Sequence, residues 1–182
     1  MPHLPSVLDG AQLPLAERMA AVLDGELYPL GGGHCPVDEV PTPTLRLAAA
    51  LAGRHERMIA ELGTAAWVWG ALTCEPELLE LCVDLRARAR PPQARHASVR
   101  EVVVTAGDLH ELGGRRVTTP VRTAVELARA RERFGEGERE TVRELGHIGG
   151  FGLADCVTLM NARRNLPAKR RAIERLTAAF AC

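Results

Sequence analysis

The side chains that could support catalysis are scattered along the sequence. A metal-dependent nuclease groups its carboxylates around the metal ion, whereas acids such as Glu138, Glu140 and Glu144 fall singly along a charged stretch. The Gly-x-Ser-x-Gly motif, which places a hydrolase serine on a sharp turn, does not occur in the sequence. We therefore predict that the chain is not an enzyme and binds no cofactor.

The five cysteines lack the spacing of a zinc site. They are Cys35, Cys74, Cys82, Cys156 and Cys182. No two of them are separated by two residues, and the pair His34-Cys35 has no second pair of ligands close by. The first thirty residues contain no basic start followed by an apolar run, which a secretory signal would need. The sequence thus predicts a cytoplasmic protein with reduced thiols and without a metal site.

Charge is unevenly distributed, although the net charge of the chain is zero. Residues 1–83 carry four arginines against eleven acids, a net charge of −7, and residues 84–182 carry nineteen basic residues against twelve acids, a net charge of +7. The densest run of cations comprises Arg163, Arg164, Lys169, Arg170, Arg171 and Arg175. Such a run could contact nucleic-acid phosphate, fit an acidic groove on a partner protein, or lie on a solvated helix pair. The charge distribution alone leaves these alternatives open.

Length and composition describe an ordinary globular chain. It has 182 residues, of which 46% are hydrophobic and 25% are charged, and this excludes collagen-like and wholly disordered proteins. No run of about eighteen uncharged apolar residues, which a membrane-spanning helix would require, is present. We expect one domain, or two small ones.

The beginning of the chain carries the pattern of a helix followed by a hairpin. Apolar residues recur with helical spacing over residues 13–24. They are Leu15, Met19, Val22 and Leu23. Two short extended segments then flank the glycine run at residues 31–33, which predicts a hairpin. A winged helix-turn-helix module ends with these elements in this order, so residues 1–40 are predicted to form a truncated winged-helix-like segment.

The middle of the chain mixes helix and strand signals. Thr44 is a candidate cap for a helix over residues 45–52, and the apolar residues 64–69 predict a second short helix. Strands are predicted over residues 78–83, 99–105 and 115–118. Arginine and alanine alternate before a proline pair at residues 86–92, which predicts a polar turn, and residues 108–114 are predicted to be a connection.

The last third of the chain is predicted to be helical. Thr119 can cap a helix whose first position is Pro120. Arg122 and Glu126 lie four residues apart on that helix. We expect Arg122 to form a buried structural ion pair, with Glu126 or a carboxylate elsewhere, and the alternative is a contact with a partner. Further helices are predicted over residues 136–147, 153–160 and 173–180. The whole pattern predicts an α+β fold, with a mixed α/β domain over residues 41–182 that ends in helices.

Two segments resemble the sequence of a known family. One is Gly114-Arg-Arg-Val-Thr-Thr-Pro-Val-Arg-Thr-Ala-Val-Glu-Leu-Ala128, and the other is Thr64-Ala-Ala-Trp-Val-Trp-Gly70, about fifty residues earlier. Together they resemble the actinobacterial AbiEi-like antitoxin proteins of type IV toxin–antitoxin systems. The likeness covers roughly residues 10–178.

The resemblance implies a function in partner and operator binding. It implies a winged helix-turn-helix followed by an α/β antitoxin domain, repression of the protein's own operon, and counteraction of a nucleotidyltransferase-type toxin. The residues expected to bind a protein partner or nucleic acid are Arg115, Arg116, Arg122, Arg163, Arg164, Lys169, Arg170, Arg171 and Arg175. The alternatives are a DNA-binding repressor without a toxin partner and a nuclease-related enzyme.

Overall fold

The computed structural model describes residues 5–87 and 96–181. Within these residues the chain forms seven α-helices and two β-sheets. The predicted α+β fold with a helical C-terminal end is therefore confirmed. The polar turn predicted over residues 86–92 lies mostly outside the described residues. The division of the chain between residues 40 and 41 stays a prediction.

The N-terminal segment consists of a helix followed by a hairpin, as expected for a winged-helix-like arrangement. Its elements are α1 (Leu15–Leu23), β1 (Leu27–Leu30) and β2 (Gly33–Pro36). The strands are antiparallel, with Tyr28 opposite Cys35. The orientation of α1 differs from that of an ordinary amphipathic helix, because its apolar residues Leu15, Met19 and Leu23 are exposed while Arg18 is buried.

A five-stranded mixed sheet forms the centre of the remaining chain. Its strands are β3 (Ile59–Ala60), β4 (Leu79–Asp84), β5 (Ala97–Val102), β6 (Leu109–Leu112) and β7 (Arg115–Thr118). Their order is β5-β4-β3-β7-β6, in which β4 pairs with β5 and β3 with β7 in parallel, while the other two pairs are antiparallel. The strands predicted over residues 78–83 and 115–118 are confirmed as β4 and β7.

Two strands and one helix cap differ from the expectations. The connection predicted over residues 108–114 is wrong, because it contains β6, which pairs with β7 across a glycine turn. The strand predicted over residues 99–105 is shifted, since β5 ends at Val102. The helix cap is Thr42 and not Thr44, because the Thr42 hydroxyl accepts a hydrogen bond from the amide of Leu45 at 3.2 Å.

Two short helices pack against the sheet. They are α2 (Pro43–Ala50) and α3 (Leu62–Trp69). Together with β3, β4 and β7 they bury a continuous hydrophobic cluster that includes Leu47, Trp67, Leu81 and Val117. Burial of apolar surface contributes the main stabilising free energy of such a cluster.

The C-terminal third is a group of packed helices. Its elements are α4 (Pro120–Ala130), α5 (Glu136–Gly149), α6 (Leu153–Asn161) and α7 (Lys169–Phe180). They share a second hydrophobic cluster with α3, which includes Val125, Leu145, Met160 and Leu176. None of the helices in the described part of the chain combines the length and apolar character that crossing a bilayer would require.

Candidate functional site

Helix α4 places two of the singled-out residues in the protein interior. The helix starts as predicted, because the Thr119 hydroxyl accepts a hydrogen bond from the amide of Arg122 at 3.3 Å and Pro120 occupies the first helical position. Arg122 is 5% exposed and Glu126 is 4% exposed. Arg122 Nη2 lies 3.0 Å from Glu126 Oε1, so the predicted buried ion pair is confirmed.

Glu126 belongs to a wider set of buried charges. Its Oε1 accepts a hydrogen bond from Arg129 Nη1 at 2.5 Å, and its Oε2 lies 3.6 Å from Arg100 Nη2. Arg100, on β5, donates two hydrogen bonds to the carboxylate of Glu61 at 2.7 and 2.8 Å. The hydrogen bond to Glu61 raises the pKa of the Arg100 guanidinium above its ordinary value. This fork-to-fork pair is the strong form of a charge-assisted hydrogen bond.

Asp108 contacts two further arginines of this set, Arg163 and Arg122. It is almost fully buried, and it accepts hydrogen bonds from the amide of Thr105 at 2.8 Å, from the Thr105 hydroxyl at 2.9 Å and from the guanidinium of Arg163. Arg122 Nη1 lies 3.9 Å from Asp108 Oδ1. Burial by itself raises the pKa of Asp108, but the hydrogen bonds from Arg163 and Thr105 and the charge of Arg122 outweigh it and hold that pKa below its ordinary value.

We call these seven charged residues the charged network. They are Glu61, Arg100, Asp108, Arg122, Glu126, Arg129 and Arg163. The network joins β5, the start of α3, α4, the segment before β6 and the connection between α6 and α7. Each cation in it lies beside a carboxylate. The arrangement therefore holds the sheet and the helices together, and breaking the Arg122–Glu126 pair would leave the buried Arg122 without its nearest counterion.

Two further cations from the predicted set support the end of α4. Arg175 donates hydrogen bonds to the carbonyls of Ala128 at 3.0 Å, Arg131 at 2.7 Å and Glu132 at 3.0 Å. Arg171 Nη2 donates to the carbonyl of Arg129 at 2.8 Å. The last carbonyls of a helix have no partner within the helix and carry its negative dipole end. Both guanidiniums therefore fasten α7 to the C-terminal end of α4.

Arg115 and Arg116, at the start of β7, donate hydrogen bonds to backbone carbonyls that follow α2. Arg115 Nη2 donates to the carbonyl of Leu51 at 3.1 Å and also reaches the carbonyls of Arg54 and His55. These carbonyls follow the end of α2. Arg116 is half-buried and donates to the carbonyl of Arg57 at 3.4 Å. Arg115 and Arg116 thus lie on another part of the molecule than the cations of α6 and α7.

The remaining cations form a surface that we call the basic patch. It consists of Arg164, Lys169 and Arg170. The side chain of Arg170 is 95% exposed, and its Nε lies 3.2 Å from Glu174 Oε1 one helical turn away. Lys169 Nζ donates to Asn161 Oδ1 at 2.6 Å. An exposed pair such as Arg170–Glu174 is weak, so the guanidinium of Arg170 is available for contact with another molecule.

The sequence analysis does not predict several members of the charged network. Glu61 and Arg100 are 39 positions apart, and they meet only because β3, β4 and β5 lie side by side in the sheet. Asp108 lies where the sequence predicts a polar connection. The one sequence signal for the network is the four-residue spacing of Arg122 and Glu126.

The described residues offer no group of three or more His, Cys, Asp or Glu side chains that could hold a metal ion. Cys35, Cys82 and Cys156 are buried, Cys74 is exposed, and these four thiols are free. Cys182 lies outside the described residues.

Comparison with known proteins finds one similar family domain and one similar fold. Residues 58–143 match the sequence model of the AbiEi antitoxin C-terminal domain. The fold resembles the crystal structure of the RV2827C protein from Mycobacterium tuberculosis, with a TM-score of 0.50 and 18% sequence identity, over 97% of this chain and 72% of that chain. No curated protein matches the chain. The matched residues 58–143, which contain most of the charged network, are thus similar to the C-terminal domain of AbiEi antitoxins.

Proposed function

We propose that this protein is a cytoplasmic antitoxin that counteracts a nucleotidyltransferase-type toxin by direct protein–protein contact. The observation that carries the proposal is the match of residues 58–143 to the AbiEi antitoxin C-terminal domain. The type of toxin follows from the family resemblance described above.

We assign the contact to the basic patch. Four of the nine cations singled out in the sequence contact carbonyls or carboxylates inside the protein. They are Arg115, Arg122, Arg163 and Arg175. Arg164 and Arg170 instead point their guanidiniums into solvent. A guanidinium offers a planar fork that fits a carboxylate in two-point contact. The patch therefore suits an acidic groove on the toxin.

Growth rescue tests the proposal. A nucleotidyltransferase taken as the candidate toxin is expressed alone, with the wild-type chain, with an Arg164→Glu/Arg170→Glu variant, and with a matched Arg86→Glu/Arg133→Glu variant that reverses two other exposed arginines. We expect the wild-type chain and the matched variant to restore growth, and the patch variant to lose at least about tenfold in plating efficiency. Failure of the wild-type chain at equal expression would contradict the proposed function. Full rescue by the patch variant would place the contact elsewhere.

A second candidate function is binding of operator DNA. The observation that favours it is the same basic patch, because exposed arginine and lysine side chains contact phosphates without regard to sequence. A gel-shift titration with the chain's own promoter separates the two candidates. Operator binding predicts a retarded band at low salt that disappears steeply as salt rises, whereas a patch that contacts only protein gives no band.

A further inference from the structure

Helix α1 turns its large apolar side chains toward solvent. Leu15 is 61% exposed, Met19 is 47% exposed and Leu23 is 85% exposed. They follow one another at four-residue intervals, so they form a line along one side of the helix, and we call them the α1 stripe. Helical geometry places Glu17 and Asp24, which are also exposed, on the other edge of the same solvent-facing surface. This surface therefore combines an apolar edge with an acidic one.

The outward orientation of α1 is fixed by polar contacts on its inner side. Arg18 is 9% exposed; its Nε donates to the carbonyl of Leu13 at 3.1 Å, and its Nη1 lies 3.1 Å from Nδ1 of His34 on β2. Rotating α1 to bury the stripe would break both contacts. Large apolar side chains that are held in solvent next to polar ones are typical of a surface for association.

A groove beside α7 has the complementary character. It is a shallow depression of about 720 Å³, and we call it the α7 groove. The half-buried Leu166 and the exposed Ala168 give it an apolar floor, while Lys169 and Arg170 supply positive charge. Its lining residues are Leu166, Ala168, Lys169, Arg170, Arg171 and Glu174. The groove thus offers apolar contact and cations together, as the α1 surface offers apolar contact and carboxylates.

The two surfaces belong to different parts of the molecule. Helix α1 packs against β1, whereas α7 packs against α4, α5 and α6. The α1 stripe and Arg170 are both exposed in the same chain, so α1 does not fill the groove of its own chain. The charges of the two parts are opposite, with a net charge of −7 over residues 1–83 and +7 over residues 84–182. A contact between them therefore requires two copies of the chain.

We infer that this chain associates with itself head to tail, the α1 stripe of one copy lying in the α7 groove of a second copy. In this contact Glu17 and Asp24 meet Lys169 and Arg170, so charge and hydrophobicity are both complementary. Pairing α1 with α1 would instead bring carboxylates together. The carboxylates of α1 also repel nucleic-acid phosphate and anionic lipid headgroups. The inference concerns the chain alone and does not rest on the proposed function.

The geometry of the contact determines how the association depends on concentration and salt. A head-to-tail pair leaves one free surface at each end, so further copies can add until a ring closes. The nine residues of α1 span about 14 Å, and the contact belongs to the weak interfaces that bury less than about 1,200 Å² in total. We therefore expect self-association at micromolar protein concentration, and we expect it to weaken as salt screens the exposed charges.

Sedimentation velocity of the purified full-length chain, over a range of concentrations at low and high salt, tests the inference. Two variants each change one surface: Met19→Gln/Leu23→Gln makes the stripe polar, and Arg170→Glu reverses the charge of the groove. The matched controls are Ile148→Gln, on α5 with 45% exposure, and Arg133→Glu, which reverses another exposed arginine. Circular dichroism confirms that each variant is folded. We expect each surface variant to weaken self-association at least about tenfold, and the controls to associate like the wild-type chain.

Mixing the two surface variants separates head-to-tail contact from other kinds of assembly. The Arg170→Glu chain keeps its stripe and the Met19→Gln/Leu23→Gln chain keeps its groove, so their equimolar mixture should form a pair that cannot grow further. A wild-type chain that stays monomeric at low salt would overturn the inference. A mixture in which the variants do not combine would do the same. Undiminished self-association of Arg170→Glu would also overturn it, because the contact would then be α1 against α1.

Discussion

Arg122 occupies a position where a cation is unfavourable by itself. It lies in the first turn of α4, where the helix dipole repels positive charge. Glu126, one turn later, compensates for this repulsion, and its spacing from Arg122 in the sequence predicts the pair. The partners that complete the network, Arg100 and Asp108, come from other elements, so a single sequence gives no indication of them. Residue spacing thus predicts contacts within one helix and misses contacts made across the sheet.

Removing the charge of Glu126 tests the network. In Glu126→Gln, the buried guanidinium of Arg122 loses its nearest counterion and keeps only Asp108 at 3.9 Å, while its surroundings stay closed to water. We expect a loss of about 3 kcal/mol in the free energy of unfolding, as for other broken buried pairs. Urea denaturation measures it.

Glu174→Gln is the matched control, because it removes the acid of the exposed Arg170–Glu174 pair. Exposed pairs contribute little, so the midpoint of unfolding should stay unchanged. Equal midpoints for Glu126→Gln and the wild-type chain would show that the network does not hold the fold together.

At the scale of whole elements, local signals predict helices well and short strands poorly. The Thr119 cap, Pro120 and the apolar stripe of α4 all lie within the helix that they predict. Strand β3 contains two residues, and it is a strand only because it pairs with β4 and β7. No property of those two residues distinguishes them from a loop. Strand β6 is missed in the same way, because it is defined by its pairing with β7.

Packing of α5 on α7 depends on Gly146. A Cβ at this position would lie 2.9 Å from Cε1 of Phe180 and 3.1 Å from the carbonyl oxygen of Phe151. We expect Gly146→Ala to lower the free energy of unfolding by about 1–3 kcal/mol, as overpacking does in other cores. Thermal unfolding measures the change.

Gly137→Ala in the same helix is the control, because a Cβ there has no neighbour within 4 Å. Alanine stabilises an exposed helix position by about 0.5–1 kcal/mol relative to glycine. The two substitutions should therefore change stability in opposite directions. Stabilisation by both would mean that α5 and α7 do not pack closely at Gly146.

The attachment of α1 to the hairpin should depend on pH. His34 Nδ1 can accept the hydrogen bond from Arg18 only while it is unprotonated. Burial, followed by the charge of Arg18, lowers the pKa of His34 below its ordinary value. The folded chain therefore binds this proton less tightly than the unfolded chain does. The stabilisation is complete at neutral pH and is lost as the pH falls below about 6.5 and through the folded pKa.

Hydrogen exchange measures this effect. The amides of Leu8 and His34 donate to each other's carbonyls, so their protection reports on the hairpin. We expect that protection, corrected for intrinsic exchange, to be constant at neutral pH and to fall as the pH drops below about 6.5. A His34→Gln variant keeps an acceptor without a titrating group and should lose the pH dependence. Constant protection in the wild-type chain would show that Arg18 and His34 are not coupled.

At the scale of the whole molecule, the acidic first part and the basic second part of the chain each present a distinct surface. These are the exposed side of α1 and the basic patch. The sequence predicts the run of cations, but it cannot distinguish Arg175, which caps α4, from Arg170, which faces solvent. It also predicts α1 without showing that the apolar side of α1 is exposed. Solvent exposure depends on how the elements pack, so both surfaces become visible only in the folded chain.

Direct contact with the toxin is the central claim, and sedimentation velocity of the two purified proteins tests it most directly. The chain and a nucleotidyltransferase taken as the candidate toxin are sedimented separately and as an equimolar mixture. The account predicts a new, faster boundary that contains both proteins, and its disappearance when the basic patch is changed in an Arg164→Glu/Arg170→Glu variant. Two independent boundaries in the wild-type mixture, under conditions in which the chain restores growth, would contradict it.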